Sequence, residues 1–215
     1  MSSPAPLSDA SLEARLGLAA LAERYHGAGW MLGTSGNLSC RFAHDRVVVT
    51  ASGCDKGKLT EEDFVEVDLN GELAGTGPER RPSAETSIHL AVYRSSPEVA
   101  AVLHVHTVDS TLVERGEENP TLLECAGLEM VKGWGIWDEG ASAVLPVFRN
   151  HAQVPRIAED VARWLETAQS VPALIIEGHG LTAWGPDLES AHRHVEITEF
   201  LCRVLRGAAG EAEGR

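Results

Sequence analysis

The chain has 215 residues, with 32 acidic against 18 basic and a formal net charge of -14. A balance this negative excludes nucleic-acid phosphates and anionic membranes as main partners, but a small anion can still be held by backbone N–H groups and one local cation. The length suits one domain with a full core, and four scattered cysteines, no basic leader and no apolar run of about 18 residues point to a soluble, cytoplasmic protein.

Residues 1–8 read as a flexible Pro/Ser leader. A helix follows, in which Leu12, Leu16, Leu18, Leu21, Ala22 and Tyr25 recur at helical spacing, with Ser8 or Asp9 as N-cap and Gly27 or Gly29 as stop. Gly33-Thr34-Ser35-Gly36-Asn37-Leu38-Ser39 reads as a loop opening into a strand, and Arg46–Thr50 as a strand leading to a second loop, Ala51–Gly57. Either loop alone is as well explained by a β-turn. Together, their glycines, hydroxyls and amides resemble a phosphate cradle, to which Lys56 adds a point charge. Neither loop carries the Gly-Lys-Ser/Thr of a P-loop, which argues against a nucleotide triphosphatase.

Phe64–Leu69 alternates as a half-exposed strand, closed by an Asn70-Gly71 turn that returns through residues 72–74. After a Gly/Pro/Arg linker over 75–82, a helix is expected from Ser83, as N-cap, to about Ser95. Glu85 falls in its first turn, where the helix dipole by itself explains an acidic side chain. A strand over about 100–106 carries His104 and His106. Its period of two puts both imidazoles on one face and Leu103 and Val105 on the other, an arrangement that suits a divalent metal, above all zinc; two satisfied core histidines are the alternative.

A short helix is expected over 108–113. In the mostly apolar segment 121–133, Glu129 and Lys132 have the spacing of an i, i+3 helix pair. Val144–Phe148 reads as a strand, Gln153–Glu166 as an amphipathic helix, and Pro172–Glu177 as a buried strand ending in Gly178-His179-Gly180. A histidine between two glycines at a strand end has little packing purpose, and His179 is the candidate third ligand. Leu181–Trp184 returns as a strand. The last helix, about Asp187 to Arg206, carries His192 and His194, which sit roughly 200° apart around the axis and therefore do not share a metal. Residues 207–215 read as a flexible tail.

In this order the motifs Gly33–Ser39, Ser52-Gly53 with Lys56-Gly57, Ser83–Thr86, His104-Val105-His106 and Gly178–Gly180 resemble the class II aldolase/adducin family, from about Leu12 to Leu205. Within it, Glu129-Met130-Val131-Lys132-Gly133 resembles the segment in which methylthioribulose-1-phosphate dehydratases place a catalytic glutamate. His151-Ala152-Gln153 departs from the more acidic or amide-rich run of some relatives.

The resemblance implies a single α/β domain over 9–206, in three α/β/α layers around a mixed, largely antiparallel sheet. It implies one zinc per subunit on His104, His106 and His179, with the remaining position open to water, substrate or a carboxylate. Thr34, Gly36, Asn37, Ser52, Gly53 and Ser83 would surround the substrate phosphate, and charge adds Lys56. Glu85 falls where the family's aldolases carry an acid/base glutamate. The implied reaction is dehydration of 5-methylthio-D-ribulose 1-phosphate to 5-methylthio-2,3-dioxopentyl phosphate in methionine salvage, through a metal-stabilised enediolate, with Glu129 as acid/base and Glu85 in reserve. A sugar-phosphate aldolase or 4-epimerase of the family, and a non-catalytic adducin-like scaffold, are the competing expectations. Family members usually assemble as tetramers with sites near subunit boundaries.

Overall fold

Alternating β-branched residues build the sheet, and the helices cover both of its faces. The computed structural model describes residues 8–74, 80–125, 127–138, 140–167 and 171–213, with side chains to 207. Most of the leader and residues 75–79 of the linker lie outside these.

The elements in chain order are α1 (Asp9–Gly27), β1 (Asn37–Ala43), β2 (Arg46–Thr50), β3 (Phe64–Asp68), α2 (Thr86–Ser95), β4 (Ala101–Val105), α3 (Val108–Thr111), β5 (Thr121–Glu124), β6 (Val144–Phe148), α4 (Val154–Leu165), β7 (Ala173–Ile176), β8 (Gly180–Gly185) and α5 (Leu188–Glu213). All eight strands join one sheet in the order β3-β2-β1-β4-β8-β7-β6-β5. Only β6 and β7 pair in parallel, because α4 crosses over between them; the other neighbours are antiparallel.

Period-two alternation divides the core. Leu38, Cys40, Leu103, Val105, Leu181 and Ala183 face α1 and α5, while Val47, Val49, Val102, Leu174, Ile176 and Trp184 face α2 and α4. The result is the three-layer α/β/α architecture expected from the sequence. Ser8 caps α1 by accepting from Ser11 N at 3.2 Å.

Several local expectations change. Ser83 is not the N-cap of α2: it forms the preceding turn, where Thr86 N donates to its carbonyl at 3.1 Å, and Glu85 takes the cap position. In the 121–133 segment β5 is followed by a 3-10 turn over Glu129–Trp134, on which Glu129 and Lys132 pair at the expected i, i+3 spacing. Residues 207–213 continue α5 where the sequence suggests a loose tail. Residues 214–215 lie outside the described part. No helix among the described residues is long and apolar enough to cross a membrane.

Candidate metal centre

The register of three strands assembles one half of the site. His104 on β4 stands opposite Asn37 on β1 and Thr182 on β8, and all three side chains face α2 by alternation. His106 follows one residue beyond β4, its backbone N–H bonded to the Trp30 carbonyl at 2.9 Å. His179 enters from the turn between β7 and β8. There Gly178 adopts a left-handed φ of 61°, and Gly180 passes so close to β4 that a Cβ would lie 2.3 Å from the Val105 carbonyl oxygen. The two glycines of the Gly-His-Gly motif thus have separate physical reasons. Gly180→Ala is expected to push β8 off β4, lower stability by about 1–3 kcal/mol and weaken metal binding, as denaturation and metal titration would measure. Wild-type values for both would remove this account of Gly180.

The three imidazoles stand nearly perpendicular to one another. Ring centroids are 4.9 Å apart for His104–His106, 4.9 Å for His104–His179 and 4.6 Å for His106–His179, with interplanar angles of 77°, 80° and 83°. The Nε2 atoms of His104 and His106 face each other at 2.9 Å, while His104 Nδ1 is held by Thr182 Oγ1 at 2.9 Å. Glu85 supplies the fourth group. Its Oε1 lies 2.8 Å from His179 Nε2 and its Oε2 3.9 Å from His104 Nε2, and Asn37 Nδ2 donates to Oε2.

These four residues offer ligand atoms within 4.8 Å of one another, the one such group among the described residues. The donor chemistry fits a divalent cation. Burial pushes the His104 imidazole well below its usual pKa, against the pull of Glu85, and lowers His106 as well, so both are neutral, as ligands must be. For Glu85, burial pulls upward, but His104, His179 and His106 outweigh it and hold the carboxyl well below the usual carboxylate range. Three imidazoles and a carboxylate suit zinc, with Thr182 fixing the ring of His104 from behind.

The remaining candidates fall in different places. Lys56 is buried, and its ammonium donates to the carbonyls of Thr34 and Cys54, both at 3.0 Å, so it ties the two glycine loops together. Burial lowers its pKa, while Cys54 and Glu85 oppose that shift. Thr34, Gly36, Ser52, Gly53 and Ser83 lie on the two loops and on the turn before α2, where Ser52 N bonds the Arg81 carbonyl at 2.9 Å and Ser83 N the Thr50 carbonyl at 3.3 Å. Asn37, expected on the phosphate, donates its Nδ2 to Glu85. Glu129 is not part of the histidine group: its side chain is 81% exposed and pairs with Lys132 at 2.8 Å, on the wall of a cavity of about 370 Å³. His192 and His194 bond Tyr25 OH at 2.8 Å and the Trp184 carbonyl at 2.6 Å, both packing roles. Thr182 went unnoticed in the sequence, where only its place opposite His104 would have marked it.

The sequence profile described as Class II Aldolase and Adducin N-terminal domain matches residues 17–205. The chain belongs to this family. A methylthioribulose-1-phosphate dehydratase from Microcystis aeruginosa is 44% identical over 196 residues, covering 90% of this chain and 95% of that protein. Another of the same name, from Sorangium cellulosum, is 40% identical over 185 residues, covering 85% and 87%. Among solved structures of the class II aldolase fold, an L-fuculose 1-phosphate aldolase superposes with a TM-score of 0.75 at 25% identity, covering 95% of this chain and 88% of that one. YgbL from Escherichia coli, titled a putative aldolase/epimerase/decarboxylase, gives 0.75 at 25% identity, with 90% and 88% covered. Class II aldolases are metal-dependent, and the Glu85–His104–His106–His179 group is where this chain can hold the metal.

Proposed function

We propose that the chain dehydrates 5-methylthio-D-ribulose 1-phosphate to 5-methylthio-2,3-dioxopentyl phosphate, as a zinc-dependent hydro-lyase of methionine salvage. The observation that carries this reading is the near full-length identity of 44% to a protein of that name, in a chain whose histidines and Glu85 converge on one point. Analysis of the product tests it: a 2,3-diketone phosphate is expected, whereas dihydroxyacetone phosphate would mean retro-aldol cleavage and overturn it. Zinc absent from the purified protein would instead favour a scaffold.

His104, His106 and His179 would hold the zinc, with the Glu85 carboxylate beside them as a further donor. Bound there, the metal supplies Lewis acidity that makes the proton next to the C2 carbonyl removable. The chain's own residues do the rest. Backbone N–H groups and hydroxyls of Thr34, Gly36, Ser52, Gly53 and Ser83 anchor the non-reacting phosphate, so that its binding energy orients C3. Lys56 holds both loops in register and adds positive charge beneath them. Lys56→Ala is expected to raise KM at least about 10-fold with a smaller change in kcat, given that charge-assisted hydrogen bonds contribute roughly 1.5–3 kcal/mol each. An unchanged KM would remove Lys56 from the phosphate site.

Glu85 is engaged with His179 and Asn37, and the resemblance of residues 129–133 to the dehydratase segment points to Glu129 as the group that takes the C3 proton and protonates the departing C4 hydroxyl. Its exposure on its own subunit fits a homotetramer in which Glu129 completes the site of a neighbour. This arrangement reconciles an acid/base role with a side chain that stands clear of its own histidines.

A further inference from the structure

The layer between α2 and β1 is apolar for most of its extent, lined by Val47, Val49, Ile88, Val92 and Val102. A polar seam nevertheless runs through it. Ser39 Oγ lies 2.7 Å from His89 Nδ1 and 2.9 Å from Tyr93 OH, with the Val102 carbonyl at 3.3 Å. Ser39, His89 and Tyr93 are all buried. Burial pushes the His89 imidazole down to about 4, so it is neutral at pH 7. The shortest contact assigns the Ser39 proton to Nδ1, with Tyr93 donating to Ser39.

This seam is the second rung of a ladder whose first rung is catalytic. Ser39 is two residues after Asn37 on β1, so both point at α2; His89 is one helical turn after Glu85, so both point at β1. Asn37 with Glu85 and Ser39 with His89 therefore join the same two elements at adjacent levels. Glu85, as N-cap, has no side-chain bond to its own helix, so the position of α2 along β1 decides where its carboxylate lies. The buried atoms His89 Nε2 and Asn37 Oδ1 have no hydrogen-bond partner among the described residues, which is a cost that packing alone would avoid by placing apolar residues there.

We propose that Tyr93, Ser39 and His89 form a buried positioning relay for the metal site, setting the register of α2 on β1 at which Asn37 holds Glu85 against the histidines. The turnover part of the test rests on the dehydratase reading; the zinc part does not.

The experiment measures zinc affinity by competition with a chromophoric chelator, kcat, KM and thermal stability, on the full chain with Ser39→Ala, His89→Leu and His89→Asn, each with and without Asn37→Ala. Expected are a zinc affinity about 10–100-fold weaker for Ser39→Ala and His89→Leu, a kcat that falls more than KM rises, and recovery of most of the loss in His89→Asn, whose amide oxygen replaces Nδ1 as the acceptor for Ser39. In the Asn37→Ala background the same changes should cost almost nothing further, because the element they act through is gone. Wild-type zinc affinity despite a lowered melting temperature, or losses that multiply in full with Asn37→Ala, would overturn the proposal. Should His89→Leu fail to fold, Ser39→Ala removes one oxygen and decides the matter. If zinc affinity falls as expected but no diketone forms, the relay stands and the dehydratase reading falls.

Discussion

Replacing His104 by alanine is expected to abolish zinc binding and reduce turnover at least about 10³-fold, since Lewis-acid stabilisation of several kcal/mol is lost and each 1.36 kcal/mol is tenfold in rate. The effect is larger than for an exposed ligand because His104 is the most deeply set of the three, bonded behind by Thr182 and flanked by His106 and Glu85. Inductively coupled plasma analysis of the purified variant, with thermal denaturation as a control for folding, checks the metal. Stoichiometric zinc in a folded His104→Ala protein would show that the histidine group is not the binding site.

Glu129→Gln is expected to lower kcat by about 10²–10⁴-fold, the usual worth of general acid–base assistance, while zinc stays bound. The side chain pairs only with Lys132 on the surface, so folding and melting temperature should barely change. Because Glu129 is proposed to act on a neighbouring subunit's site, a mixture of inactive Glu129→Gln and inactive His104→Ala subunits should regain activity. With random assembly, about a quarter of the sites combine an intact metal group with an intact glutamate. No recovery on mixing would place the glutamate within its own subunit, and near-normal turnover of Glu129→Gln would remove it from the chemistry altogether.

The parts of the site that were legible in the sequence share one property: their geometry follows from local backbone periodicity. His104-Val105-His106 on a strand puts two imidazoles on one face, and the same spacing in His192-Arg193-His194 on a helix separates them, as the packing of those two histidines bears out. Gly178-His179-Gly180 at the end of an apolar strand marked His179 as a histidine with little packing purpose, and so as the candidate third ligand. Lys56 stood out in the sequence as a point charge in the second glycine loop, but its bonds to the Thr34 and Cys54 carbonyls, which make it a strut, depend on the fold.

What the sequence by itself determined was therefore a mixture of strands and helices and the residue types able to bind a metal and a phosphate, the three-layer arrangement coming from the family resemblance. Tertiary structure decided the pairings. Asn37 meets Glu85 because β1 lies beside β4 in a register that sets Asn37 opposite His104, and Thr182 reaches His104 Nδ1 because β8 flanks β4 on the other side. Glu85 leaves the role of a dipole-stabilised first-turn acid once Ser83 forms the preceding turn and His179 arrives 94 positions later in the chain. Local alternation decides which face of the sheet a residue takes, whereas which strand lies beside it, and so which residue stands opposite, depends on the packing of the whole sheet between its two helical layers.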